Sequence, residues 1–235
     1  MLFLRSLLFY IGISLALLIF APLGVLLFPL PFRQRYRVMN GWARFAIWWL
    51  EKTCQLNYQV QGLENIPATP AIVLGKHQSA WETIVFQVIF PRQVWLVKRE
   101  LLRIPFFGWA LASLQPIAID RKNLRQSMQK IVEQGKQRLA EGNWVVIFPE
   151  GTRVAPGEKK RYGVGGAMLA AQSGYPVVPV AVNSGEFWPP KGFIKQPGTI
   201  KVVIGPVIES NGKTYKEINA LTEKWIEEMV LKIQH

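Results

Sequence analysis

Cysteine, histidine and acidic residues are scarce in this sequence. Its single cysteine, Cys54, cannot form an intramolecular disulfide and cannot hold zinc by itself, which excludes a disulfide-stabilised domain and indicates a reducing compartment. No other metal-binding pattern stands out, so we expect no metal site. Of the two histidines, His235 is the last residue, where chains are commonly poorly ordered, so histidine chemistry is expected at His77.

The 15 acidic residues are outnumbered by 28 lysines and arginines, which gives a net charge of +13 and favours an anionic partner. Nucleic acid is one candidate, because a basic surface neutralises phosphates regardless of base sequence. The chain has neither a zinc finger nor an aromatic RNA-binding motif, however, and much of its basic and aromatic content lies beside a long apolar segment. We therefore expect membrane phospholipids as partners and no nucleic acid.

No charged residue interrupts the segment Ser6–Phe32, which lies between Arg5 and Arg33. About 20 apolar residues suffice to cross the hydrocarbon core of a bilayer, so this segment is long enough to do so. A cleaved signal peptide is a weaker interpretation, because its apolar region usually has about 7–15 residues. A kinked helix and a re-entrant hairpin both remain open. Helix-disrupting residues crowd the second half of the segment: Pro22, Gly24, Pro29 and Pro31.

Basic and aromatic residues alternate directly after the apolar segment, as in helices that lie among lipid headgroups. The set comprises Arg33, Arg35, Arg37, Arg44, Tyr36, Trp42, Phe45, Trp48 and Trp49. Four arginines outweigh Arg5 on the other side of the segment, and positive charge beside a membrane segment favours the cytoplasmic face. We therefore predict a membrane anchor and an interfacial helix over residues 1–52, with the rest of the chain on the cytoplasmic side of the inner membrane.

Residues 53–235 alternate short apolar runs, rich in β-branched residues, with amphipathic stretches, a pattern typical of an α/β domain. Helical spacing of apolar residues predicts one helix between the fourth and fifth strands and another near the end of the chain. The predicted strands are Leu56–Val60, Ala71–Leu74, Val94–Val97, Pro116–Ile119, Trp144–Phe148, Val177–Val182 and Ile200–Ile204.

His77 and Glu82 lie just after the second predicted strand, and functional groups collect at such positions in α/β folds. On one continuous helix, five residues turn through about 500°, so the two side chains would point about 140° apart. If the helix begins at Ser79 instead, Glu82 occupies its third position and the carboxylate can turn back toward the imidazole. Ser79 and Glu82 also match a capping box, in which they only bind backbone N–H groups, and both interpretations remain open.

The segment Phe148–Arg153 follows the strongly apolar fifth strand and brings Glu150, Gly151, Thr152 and Arg153 into one loop. Arginine can bind a phosphate through two parallel hydrogen bonds. An ordinary turn with a solvated arginine is the alternative, and this segment by itself does not decide between the two.

Together, His77–Glu82 and Phe148–Arg153 resemble the glycerolipid acyltransferase family. Further blocks follow in that family's order, namely Lys98–Leu101, Ile104–Gly108, Ile117–Arg121 and Val177–Val180. The resemblance extends over roughly residues 55–205. It implies a glycerolipid acyltransferase-like sheet flanked by helices, as an α/β acyltransferase domain over residues 53–235 preceded by the membrane-associated helical segment.

The resemblance implies that His77 is the general base and that Glu82 orients its ring. The family more often has aspartate at the position of Glu82 and asparagine at the position of Lys76. The substrate-binding residues that the resemblance implies are Lys98, Arg121 and Arg153 for the acceptor phosphate, with Glu150, Gly151 and Thr152 in the same pocket.

The implied reaction moves a fatty acyl group from acyl-CoA or acyl carrier protein to the sn-2 hydroxyl of 1-acylglycerol 3-phosphate (lysophosphatidic acid), which forms phosphatidic acid. The acyl thioester is a substrate, and no cofactor is expected. The chain has no Gly-x-Ser-x-Gly motif, in agreement with direct attack without a covalent acyl-enzyme. Acyl transfer to another lysolipid and a noncatalytic membrane-binding module are the alternatives.

Overall fold

The computed structural model describes residues 1–120 and 123–234. Its strands are β1 Leu56–Gln61, β2 Ile72–Gly75, β3 Gln93–Lys98, β4 Ile117–Ile119, β5 Trp144–Ile147, β6 Val177–Val182 and β7 Gly198–Ile204. They form one sheet in the order β1-β7-β6-β2-β5-β3-β4, in which β6 and β7 are antiparallel and the other neighbours are parallel. All the predicted strands are present, with ends that differ by two residues at most.

Helices accompany the sheet on both sides within the described residues. They are α1 Leu2–Leu26, α2 Phe32–Cys54, α3 Glu82–Ile89, α4 Phe107–Ser113, α5 Leu124–Ala140, α6 Gly165–Ser173 and α7 Tyr215–Ile233. The two amphipathic helices that the apolar spacing predicts are α5 and α7. A capping box between Thr214 and Glu217 fixes the start of α7.

Each face of the sheet has its own hydrophobic core, because successive residues of a strand point to opposite sides. In β2, Val73 packs in a core with residues of α2 and α3. Its neighbours Ile72 and Leu74 pack in a second core with residues of α5, α6 and α7. The molecule is therefore a layered α/β fold with helices on both sides of the sheet, which confirms the predicted class.

The first two helices form an antiparallel hairpin. Residues 27–31 join them, and the Trp49 indole N–H donates a hydrogen bond of 3.2 Å to the Leu8 carbonyl of α1. Gly12 permits this approach, because a Cβ atom at that position would overlap the Trp49 ring. α1 continues through Pro22 without ending, and among the described helices it alone is long and apolar enough to cross a membrane.

α2 packs against the sheet as well as against α1. Ala43, Ala46 and Leu50 are buried in the same core as Val73 of β2. This buried face of α2 cannot contact lipid headgroups, so the predicted interfacial contact is limited to the rest of the helix surface. One of its four arginines departs from that prediction: Arg35 is buried, donates to the Phe28 carbonyl at 2.9 Å and lies over aromatic rings.

Lys195 connects the N-terminal helix to the loop between β6 and β7. Its backbone N–H donates to Ser6 Oγ at 2.9 Å, and its fully buried ammonium donates to the Phe193 carbonyl at 2.6 Å. The ammonium also lies 3.6 Å from the centre of the Tyr10 ring and 4.5 Å from that of Trp188, within the range of cation–π contacts. Burial lowers the pKa of Lys195 to about 8.

This lowered pKa predicts a rise in stability with pH. Below pH 8, Lys195 is protonated in both the folded and the unfolded chain. Between that pKa and the ordinary lysine value of about 10.4, the unfolded chain binds more protons, so the free energy of unfolding increases with pH. We expect the melting temperature of the wild type, relative to that of Lys195→Met, to rise by about 4–8 °C between pH 7 and pH 9.5, corresponding to about 2 kcal/mol.

The exposed Lys224→Met variant is the control for this comparison. Thermal unfolding in the same detergent should give a difference from wild type that stays constant across the pH range. A pH-independent difference for Lys195→Met as well would contradict the assignment of the titration to Lys195.

Candidate active site

Four chain segments meet at the carboxyl edge of the sheet. The neighbouring parallel strands β2 and β5 end before His77 and before Phe148, and β3, parallel to β5, ends at Lys98. β6, parallel to β2, ends before Ser184. Parallel strands deliver their carboxyl ends to one edge, where ligands commonly bind in α/β sheets. The topology thereby brings together residues that are far apart in the sequence.

The helix after His77 begins later than the sequence suggests. α3 starts at Glu82, whereas the arrangement that would bring Glu82 to His77 assumed a start at Ser79. Ser79 Oγ accepts a hydrogen bond of 2.9 Å from the Trp81 N–H and not from the Glu82 N–H, so only one of the two bonds of a capping box forms, the one from the Ser79 N–H to Glu82. The Glu82 carboxylate still turns back over the helix start and accepts from the backbone N–H groups of Ser79 at 3.1 Å and Gln78 at 3.3 Å.

The same carboxylate reaches the imidazole. His77 Nδ1 lies 3.2 Å from Glu82 Oε2, and Glu82 is fully buried. The imidazole stacks on the Phe148 ring, with 4.0 Å between the ring centres and 9° between the planes. If Nδ1 carries the proton that faces Glu82, Nε2 is the unprotonated nitrogen available as a base. The geometry is thus that of a His–carboxylate pair, and the backbone contacts of Glu82 accompany this pairing instead of replacing it.

Sequence reasoning missed Ser184, whose hydroxyl donates to Glu82 Oε1. The two residues are 102 positions apart, so no local motif links them. Their proximity follows from the pairing of β2 with β6, since each residue follows the carboxyl end of one of these strands. Strand order was therefore the signal that could have identified Ser184.

The loop after β5 holds the backbone of His77 from two sides. Glu150 Oε2 accepts from the His77 N–H at 2.8 Å, and the Val154 N–H donates to the His77 carbonyl at 2.8 Å. Gly151 adopts φ +67°, a left-handed conformation that favours glycine, although a Cβ atom there would meet nothing. The backbone turn, and not lack of space, favours glycine at this position.

Glu150 lies behind the site and not in the predicted substrate pocket. Its side chain is buried, bonded to the His77 N–H and 2.8 Å from the Lys76 ammonium. Burial raises the pKa of the Glu150 carboxyl, even though Lys76 acts in the opposite direction. The Glu150 side chain thus contacts His77 and Lys76 and does not line the cavity beside His77, which favours a role in holding His77.

A cavity of about 600 Å³ opens beside His77. Lys98, Gly151, Thr152 and Arg153 line it together with His77, and Arg153 donates to the Pro190 carbonyl at 2.8 Å. Most other lining residues are apolar and come from the hairpin, from α4 and from the segments around it, including Leu17, Phe20, Met39, Trp42, Phe107, Ala110, Leu111 and Leu114. The described lining contains two permanent cations and no carboxylate. Such a cavity suits a molecule with an anionic head and an apolar chain.

The structure therefore brings five of the predicted site residues to one cavity, and sets Glu82 and Glu150 directly behind His77. Arg121, the remaining predicted phosphate ligand, lies outside the described residues.

Comparison with known proteins gives the same family. Residues 57–183 match the family model described as Acyltransferase. A protein of Pseudomonas aeruginosa named 1-acyl-sn-glycerol-3-phosphate acyltransferase is 44% identical over 97% of this chain and 91% of its own length. A protein of the same name from Borreliella burgdorferi is 26% identical over 86% of this chain and 80% of its own length.

The fold has a solved counterpart. The crystal structure of a 1-acyl-sn-glycerophosphate (LPA) acyltransferase from Thermotoga maritima matches with a TM-score of 0.79, covering 98% of this chain and 96% of that one at 21% identity. This likeness concerns the fold, whereas the family-model match and the Pseudomonas relative concern the sequence itself. On those two matches, the chain belongs to the acyltransferase family.

Proposed function

We propose that this protein transfers a fatty acyl group from an acyl thioester to the sn-2 hydroxyl of 1-acylglycerol 3-phosphate, forming phosphatidic acid. The observation that carries the proposal is the His77–Glu82 pair beside a cavity that combines two cations with an apolar lining. The names of the Pseudomonas and Borreliella relatives support the same acceptor.

In the proposed reaction, His77 Nε2 takes the proton of the acceptor hydroxyl as the hydroxyl oxygen attacks the thioester carbonyl. The tetrahedral intermediate then collapses, the carbon–sulfur bond breaks, and the imidazolium returns the proton to the departing thiolate. Glu82 holds Nδ1–H in hydrogen-bonding distance and stabilises the transient imidazolium. The chemistry requires neither a metal nor another cofactor, and no covalent acyl-enzyme forms.

Substrate orientation follows from the two ends of the cavity. We assign the acceptor phosphate to Arg153 and Lys98, because guanidinium and ammonium groups form charge-assisted hydrogen bonds with phosphate oxygens. Thr152 and Gly151 line the same end. Acyl chains would occupy the apolar part, between the hairpin and α4.

The position of the hairpin supports access from a membrane. Leu17 and Phe20 of α1 line the cavity, whereas the adjacent Leu18 and Ile19 are exposed. A lipid acceptor could therefore enter from a bilayer that covers the outer side of α1. We propose the cytoplasmic face of the inner membrane, because of the arginines in α2, and either acyl-CoA or acyl carrier protein as the acidic donor.

The proposal is tested by assaying the purified protein with both donors and three acceptors: lysophosphatidic acid, lysophosphatidylcholine and monoacylglycerol. We expect kcat/KM to be at least about tenfold higher for lysophosphatidic acid than for monoacylglycerol, since the latter offers no phosphate to the two cations. Faster transfer to lysophosphatidylcholine would identify a different lysolipid acceptor. Absence of acyl transfer to all three would overturn the proposed function.

A further inference from the structure

A buried cluster of charged and polar side chains lies behind His77, on the side away from the cavity. The Lys76 ammonium lies 2.8 Å from Glu150 Oε1 and 2.7 Å from Glu227 Oε1. The Tyr162 hydroxyl donates to the same Glu227 oxygen at 2.9 Å. Glu227 belongs to α7, 151 residues from Lys76, and to none of the sequence blocks that carry the family resemblance.

These groups are buried, so each charge in the cluster depends on its partners within the cluster. The side chain of Lys76 is 1% exposed, that of Glu150 0% and that of Glu227 18%. A buried charge is costly unless a partner compensates it, so removal of one member perturbs the others. Burial by itself would lower the pKa of the Lys76 ammonium, but Glu150 and Glu227 outweigh it and raise this pKa. Burial also raises the pKa of Tyr162, which keeps its hydroxyl as a donor.

Two connections lead from this cluster to the imidazole. Lys76 immediately precedes His77, and its own N–H donates to the Val180 carbonyl of β6 at 2.9 Å. Glu150 uses one carboxylate oxygen for the Lys76 ammonium and the other for the His77 N–H. The position of the ammonium between Glu150 and Glu227 therefore influences the orientation of the Glu150 carboxylate toward the His77 N–H.

We infer that Glu227 is a positioning residue for acyl transfer, which acts on His77 through Lys76 and Glu150. This inference rests on the proposed function. Without the Glu227 charge, Lys76 has Glu150 as its only carboxylate partner in this cluster and moves toward it, which disturbs the Glu150 bond to the His77 N–H. A shift of about 1 Å in a reacting group is enough to lower a rate substantially, while substrate binding in the cavity in front of His77 is left intact.

The test compares Glu227→Gln with Glu228→Gln, an exposed neighbour on the same helix. We expect Glu227→Gln to lower kcat about tenfold with KM within twofold of wild type, because the altered group positions the base and does not touch substrate. The Glu228→Gln variant should retain wild-type kcat. Melting temperatures are measured for both, so that rates refer to folded protein.

A double-mutant cycle decides whether the effect passes through Lys76. Because Glu227 acts by way of the Lys76 ammonium, Lys76→Met with Glu227→Gln should be no slower than Lys76→Met alone. Additive losses, or a folded Glu227→Gln variant with wild-type kcat, would overturn the inference. Should Glu227→Gln not fold, Glu227→Asp keeps the charge at a shorter reach, so we expect a smaller loss of kcat with KM unchanged, and a wild-type kcat would overturn the inference. An inactive wild type would instead overturn the proposed function itself.

Discussion

Replacing His77 by alanine is expected to lower the rate of acyl transfer by about 10²–10⁴-fold, the usual contribution of a general base. The imidazole beside the cavity is the only one in the described residues, because the other histidine of the chain is His235. Without it, no neighbouring group takes the acceptor proton as the hydroxyl attacks. The loss should appear in kcat for lysophosphatidic acid with either thioester donor.

His77→Asn is the matched variant for this measurement. An asparagine amide can replace the Nδ1–H that faces Glu82, but it cannot act as a base. We therefore expect Asn to be as inactive as Ala, while its melting temperature stays closer to that of wild type. Wild-type activity in either variant would exclude His77 as the base, and a group other than the imidazole would then have to take the acceptor proton.

The strands were predictable because their signal is local. Runs such as Val177–Val182, apolar at every position, are typical of strands buried on both faces, and β6 occupies that segment. The spacing of apolar residues similarly predicted α5 and α7. Burial on both sides of the sheet follows from these patterns, so the fold class could be inferred without knowledge of strand order.

The start of α3 was not predictable from local pattern. Ser79 and Glu82 have the spacing of a capping box, which places a helix start three residues too early. In the folded chain, Ser79 binds the N–H of Trp81, and Glu82 is drawn into contacts with His77 and Ser184. Tertiary contacts that stabilise the carboxylate outweighed the local preference, which is common at functional sites.

The role of Glu150 was hidden for a similar reason. The family resemblance implied that Glu150 lies in the substrate pocket with Arg153. Its actual partners are the backbone of His77 and the side chain of Lys76. Because Lys76 in turn pairs with Glu227 from the far end of the chain, only the packing of α7 against the sheet reveals this arrangement.

Replacing Glu82 by glutamine is expected to remove most acyl transfer, with kcat reduced about 10²-fold. The carboxylate accepts hydrogen bonds from His77, Ser184 and two backbone N–H groups. An amide of the same size offers one oxygen and one NH₂ group, so at least one of these donors must then face another donor. The amide also carries no charge to stabilise the imidazolium.

The buried mismatch should lower stability as well as activity, by about 1–3 kcal/mol for an unsatisfied buried group. Ser184→Ala provides a graded comparison, since it removes one donor to Glu82 and keeps the carboxylate and its charge. We expect a loss of kcat of about tenfold at most, so that the order of activity is wild type, Ser184→Ala, Glu82→Gln. Kinetics with lysophosphatidic acid beside thermal unfolding would establish this order. Full activity of a folded Glu82→Gln variant would mean that the carboxylate only stabilises the start of α3. His77 would then act as a base without it.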